Sequence, residues 1–172
     1  GYALCIGDTH ASHADLTEDY AAIPLEMGQV AAFFGRTVLG EVPFSDFSAA
    51  IPALRARCGD RAVLRAYHYY KEDQRVLLQQ EALERGDFGQ FLRLVRQSGR
   101  SSYMYLQNVS NYRDSRSQCV AVLLAAAEEL LEGEGACRVH GGGFAGTIQA
   151  FVPLPRLAAF RAGMEAVAGR GS

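Results

Sequence analysis

The sequence predicts an α+β fold: a small, mostly antiparallel sheet covered on one face by helices. Three observations carry that expectation. A short apolar run, Tyr2–Ile6, opens the chain, and a succession of helical periodicities fills its middle. Two strand-like segments then flank a glycine cluster within 136–152, with one more helix after them. At 172 residues and 49% hydrophobic, the chain reads as one domain with a core of its own, burying about 70% of its unfolded surface.

Taken in order, Tyr2–Ile6 reads as a buried strand and 7–14 as a polar turn. Asp15-Leu16-Thr17-Glu18 has the form of a capping box, with Asp15 accepting from the Glu18 amide while Glu18 reaches back. The helix it opens carries Tyr20, Ile23, Met27, Val30, Ala31 and Phe34 at helical spacing and stops at Gly35. Pro24 inside that pattern implies a kink, or a start near Ile23. Residues 38–42 read as extended. Ser45 or Asp46 then caps a helix through Arg57, its middle disturbed by Pro52, and Gly59 ends it.

Asp60 caps the longest helix, running to about Glu84 with Val63, Tyr67, Tyr70, Leu77 and Leu78 on its apolar side. Asp87 caps the next, whose stripe is Phe88, Phe91, Leu92 and Val95. Residues 98–102 read as a polar junction and 103–109 as a short helical piece. The strongly apolar helix 115–131 is closed by Gly133 and Gly135. The glycine hairpin, two prolines at 153 and 155, and a last helix over 156–167 complete the order.

Net charge is −2, the pI is about 6.1, and no basic run occurs. Nucleic acid and anionic membrane surfaces are therefore excluded as expected partners. The longest apolar stretch, 120–127, is too short to span a bilayer, and no leader pattern precedes the first strand. Cys5, Cys58, Cys119 and Cys137 form no Cys-x-x-Cys pair and read as buried free thiols of a reducing, cytoplasmic compartment.

The chemistry-bearing stretch is Gly141-Gly142-Gly143. Three glycines in a row are more than a turn requires, and a nest of amide groups on such a loop holds an anion, phosphate above all. The alternative is a hairpin loop with no ligand. No Gly-Lys-Ser/Thr ending and no directly following helix occur, so it is neither a P-loop nor a dinucleotide fingerprint. Asp8, His10, His13 and Asp15 are the densest polar constellation. They offer imidazoles and carboxylates to a divalent metal, or a helix cap, turn acceptors and loop histidines. Their spacing matches no metal motif, so no metal ligands are assigned.

Tyr67-His68-Tyr69-Tyr70 reads as a sugar-stacking surface or, in preference, as core packing by Tyr67 and Tyr70 with His68 and Tyr69 at the rim. Ser101 and Ser102 are nucleophiles only if a histidine is delivered to them. Without an elbow motif they read as caps and junction residues.

Together, the glycine loop and the chain's opening resemble the GHMP kinase superfamily, and within it the galactokinase family. The family's third motif has the form Arg-Met-Thr-Gly-Gly-Gly-Phe-Gly-Gly, and residues 138–146 read Arg-Val-His-Gly-Gly-Gly-Phe-Ala-Gly. His13 and Tyr20 stand at the family's spacing after the first strand, and Ser98-Gly99-Arg100-Ser101 is similar to its Ser-His-x-Ser junction. The resemblance implies a ferredoxin-like GHMP kinase C-terminal domain over 1–172, truncated at both ends. It implies a parent enzyme that uses ATP and Mg²⁺ to phosphorylate the anomeric hydroxyl of galactose.

By the same resemblance Tyr20 hydrogen-bonds the sugar, and Gly141, Gly142 and Gly143 lie beside the nucleotide phosphates. The catalytic residues are expected in an absent N-terminal lobe, leaving this chain inactive alone. The exposed interlobe face would favour a homodimer. Ala145 stands where the family has glycine and would strain or shift the loop if that position needs positive φ. A non-catalytic sugar- or partner-binding module of the same fold, or a kinase for another small alcohol, are the alternative functions.

Overall fold

A computed structural model describes residues 1–11, 16–169 and 171. Its strands are β1 (Tyr2–Asp8), β2 (Ala136–His140) and β3 (Thr147–Pro153), and its helices are α1 (Thr17–Phe33), α2 (Phe44–Ala49), α3 (Ile51–Cys58), α4 (Asp60–Glu84), α5 (Phe88–Ser101), α6 (Cys119–Leu131) and α7 (Leu157–Ala168). The strands form one antiparallel sheet of order β1-β3-β2. The predicted α+β class is what the chain adopts, but helices pack on both faces of the sheet instead of one, because β2 and β3 carry apolar residues on both sides.

Strand alternation decides what each sheet face does. Cys137, Val139, Ile148, Ala150 and Val152 point to one face and form a core with Val120, Leu123, Ala127 and Leu131 of α6 and with Phe160 and Met164 of α7. On the opposite face, α5 lies across the β2 side, packing Leu92 and Val95 on Ala136, with Phe88 and Phe91 against Phe151. Gly99 allows that approach: a Cβ there would come within 3.1 Å of Arg138 Cβ and 3.2 Å of the Cys137 carbonyl. A second core joins α1, α2, α3 and α4 through Val30, Phe47, Leu54, Val63 and Tyr70.

Several local expectations are corrected. Tyr2–Ile6 is not a buried strand: it is an edge strand, and Leu4 and Ile6 are 59% and 47% exposed on the face α5 leaves uncovered. A run apolar at every position looks buried on both sides, but only Ala3, Cys5 and Gly7 share the face of the buried β3 residues. The capping box at Asp15 lies outside the described residues. Helix α1 passes through Pro24 without interruption. In place of an extended piece at 38–42, a 3-10 turn occupies Leu39–Glu41 between extended Val38 and Val42.

The single helix expected through Arg57 is two, α2 and α3. Pro52 sits in the first turn of α3, where its missing N–H is no loss. Leu77 and Leu78 of α4 are exposed instead of core. Asp87 caps α5 as expected, its carboxylate accepting from the Gln90 amide at 2.8 Å. All four cysteines are free, but only Cys137 is buried, where desolvation pushes its thiol up to about 12. Among the described residues no helix is long and apolar enough to cross a membrane.

Candidate functional site

The loop between β2 and β3 sits on α1 and on the segment that follows α5. Gly141, Gly143, Phe144 and Gly146 all have positive φ, so the chain turns through left-handed backbone four times in six residues. Each glycine has its own reason. A Cβ on Gly142 would lie 2.6 Å from the Tyr20 ring, and one on Gly143 would collide with the Asn108 backbone carbonyl. At Gly141 a Cβ would meet nothing within 4 Å. The first glycine therefore faces open space, while the other two permit close packing inside the protein.

The loop's carbonyls are engaged. Tyr20 Oη donates to the Gly143 carbonyl at 2.6 Å, and Asn108 Nδ2 donates to the Gly142 carbonyl at 3.0 Å. The Phe144 amide donates to the Asn108 carbonyl at 2.5 Å. The Tyr20 ring meets Phe144 edge-on, centroids 5.3 Å apart. Burial pushes the Tyr20 phenol up, so at neutral pH it keeps the proton it donates. Among the described residues, the exposed Gly141 and Gly142 amides make no hydrogen bond, while 141–142 form a hydrogen-bonded turn that the amide of the buried Gly143 closes. A loop with engaged carbonyls and unspent amides is built to receive an acceptor. A cavity of about 420 Å³ adjoins it, lined by Leu16, Asn111, Arg113, Phe144 and Ala145 among others.

Ala145 does not need glycine's freedom: its φ is not positive, the neighbouring Phe144 takes the left-handed conformation, and the alanine is buried with Phe144 and Leu16. The loop is thus unstrained at that position. His140 Nδ1 lies 2.9 Å from Gln149 Oε1 across the hairpin.

Arginines hold α1, and with it Tyr20, in place. Arg65, 1% exposed, donates through Nη1 to Glu26 at 2.9 Å and through Nε to the Leu106 carbonyl at 3.2 Å. Arg61 pairs with the same carboxylate, and Arg113 reaches Glu18 and Asp19 at 2.6 Å each. Desolvation lowers the pKa of Arg65, with Glu26 opposing it, and the guanidinium stays charged.

Sequence reasoning missed Asn108, which is 98% removed from solvent by its 2% exposure and bridges two points of the loop. Nothing in its Ser/Asn-rich surroundings marks it as buried. His68 is also misplaced as a rim residue: it is 8% exposed, with Nδ1 3.0 Å from Ser101 Oγ. Burial lowers its pKa to about 4. A histidine is thus delivered to Ser101, but the hydroxyl is itself 2% exposed by residue, so the pair is structural.

Asp8 and His10 form a local turn, the His10 amide donating to Asp8 Oδ1 at 2.9 Å. His13 and Asp15 lie outside the described residues, among which no group of three or more His, Cys, Asp and Glu side chains is placed to hold a metal.

Helices α5, α6 and α7 and a π-helical turn grouped on a three-stranded antiparallel sheet, with a glycine hairpin facing α1, define an α+β domain. The chain is homologous to the C-terminal part of galactokinases. It is 29% identical over 155 residues to the galactokinase of Mannheimia succiniciproducens, covering 90% of this chain and 38% of the relative. With a galactokinase of Actinobacillus pleuropneumoniae the identity is 30% over 156 residues, covering 89% and 38%. The chain therefore spans about two-fifths of the length of these curated relatives. The crystal structure of Lactococcus lactis galactokinase complexed with galactose shares the fold, with a TM-score of 0.74 at 22% identity over 97% of this chain and 41% of that one. No protein-family model matches.

Proposed function

We propose that this chain forms the C-terminal lobe of a galactokinase-type sugar kinase, which transfers the γ-phosphate of ATP to galactose and yields galactose 1-phosphate. The observation that carries the reading is the pair of exposed, unspent amides at Gly141 and Gly142, in a chain similar to galactokinases over nine-tenths of its length. In this reading the loop borders the nucleotide phosphates, with Gly141 on the ligand side because its Cα opens to free space. Gly142 and Gly143 serve by fixing the loop against Tyr20 and Asn108.

Tyr20, held by its hydrogen bond to the Gly143 carbonyl, would meet the sugar from beside the loop. When bound, ATP supplies the phosphoryl group, and catalysis rests on positioning and charge neutralisation. The loop carries no carboxylate, so Mg²⁺ does not fit it. The ion and the catalytic residues would belong to the rest of the enzyme. The uncovered Leu4 and Ile6 would lie against that remainder or against a second copy, and the free thiols fit a cytoplasmic setting.

The test is ATP-dependent formation of galactose 1-phosphate by the complete gene product. Turnover of galactose in preference to other small alcohols is the expected result. Galactose binding without phosphoryl transfer would replace the proposal with a binding module.

A further inference from the structure

A second polar region lies away from the glycine loop, where α4, α5, the π-helical turn Ser102–Leu106 and β2 meet. Glu72 of α4 accepts from Ser98 Oγ at 2.6 Å and pairs with Arg75, and Arg138 Nη1 stands 3.8 Å from the same carboxylate. Arg138 also donates to Ser98 Oγ at 2.6 Å. Two guanidiniums thus share one carboxylate. Desolvation lowers the pKa of both, and Arg138 further lowers that of Arg75 as a like charge.

Two cavities open beside this network. One, of about 230 Å³, is lined by Arg75, Gln97, Arg100, Ser101 and Tyr105 with Met104. The other, of about 470 Å³, is lined by Arg96, Arg138, Glu128 and the apolar side chains of Leu124 and Ala125, and shares Arg100 and Met104 with the first. Neither shares a lining residue with the cavity at the glycine loop.

The charges do not balance. Arg75, Arg96, Arg100 and Arg138 face Glu72 and Glu128, four positive groups against two negative, a surplus of two. Arg96 donates to the Gly133 and Gly135 carbonyls, which are neutral. The Arg100 side chain makes no hydrogen bond or ion pair among the described residues. A phosphate monoester carries about −1.5 to −2 at neutral pH. It also offers the planar donor forks of arginine a matching set of oxygens.

We propose that these paired cavities bind a small organic phosphate monoester, its phosphate between Arg75 and Arg100 and its organic part against Met104, Leu124 and Ala125. The polar cavity is the size of a phosphate group with its hydration, and the larger one offers the apolar wall. Gly99 keeps the floor of the larger cavity low, because α5 rests directly on β2 there. This site stands independently of the sugar-kinase reading.

The test is an NMR titration of the full chain with phenyl phosphate, beside inorganic phosphate and benzyl alcohol. Saturable amide shifts within 97–105 are expected, tighter for phenyl phosphate than for either control. Arg100→Gln is expected to weaken binding by about tenfold, the loss of one charge-assisted pair. Arg100→Lys, which keeps the charge without the fork, is expected to weaken it less than Arg100→Gln. Arg100 is exposed, so neither variant should change the unfolding temperature. Shifts confined to 141–146, equal affinity in Arg100→Gln, or no saturable shift at all would overturn the proposal.

Discussion

The glycine hairpin and the Glu72–Arg138 network are both packed junctions between helices and the sheet, but they are built from opposite materials. At the hairpin, side chains are removed so that backbone can lie against Tyr20 and Asn108. At the network, long charged side chains from α4 and β2 converge on a buried serine of α5. Sterics dominate the first, so one added methyl is costly. Desolvated charge dominates the second, so removing one partner is costly while the shape barely changes.

Substitutions should separate the two, in descending order. Gly143→Ala forces a Cβ into the Asn108 carbonyl at φ +83° and should lose about 4 kcal/mol, read by urea unfolding. Glu72→Ala leaves Arg75 and Arg138 without their carboxylate and should lose about 3 kcal/mol, whereas Glu72→Ala combined with Arg138→Met should recover part of it. If the double variant were no better than the single, electrostatics would not be what holds that junction.

His68 sharpens the contrast through pH. Its folded pKa is lowered from 6.5 to about 4 by burial. The unfolded chain thus takes up a proton that the folded chain refuses. Stability from the neutral imidazole is whole above pH 6.5 and falls as pH drops toward 4, by up to about 3 kcal/mol. His68→Asn should flatten that part of the stability profile; an unchanged slope would place the histidine's titration elsewhere. Smallest, Tyr20→Phe removes the hydroxyl donated to Gly143 and should lose about 1 kcal/mol.

Local rules explain why the hairpin was legible and the network was not. The glycine cluster between two alternating segments, and Asp87 three residues before Gln90, are signals carried by neighbours in sequence. Ser98–Ser102 looks like a polar junction because nothing nearby shows that the half-buried Glu72 and the buried His68, 26 and 33 positions earlier, supply partners to Ser98 and Ser101. With those partners, the serines sit within a continuing helix and π turn.

Apolar composition misled in the other direction. Leu4, Ile6, Leu77 and Leu78 have the residue type of a core, yet edge position and helix length leave them exposed. Resemblance found the role proposed for Tyr20 and the glycines. Only geometry divides those glycines into one that opens outward and two that pack inward.

That division is the central claim, and kinetics on the complete gene product tests it most directly. Gly141→Ala keeps the loop's contacts and should cost only about 1 kcal/mol of stability at its positive φ, while raising KM for ATP about tenfold or more by crowding the phosphate side. An unchanged KM for ATP in Gly141→Ala would contradict the placement of the nucleotide phosphates at this loop.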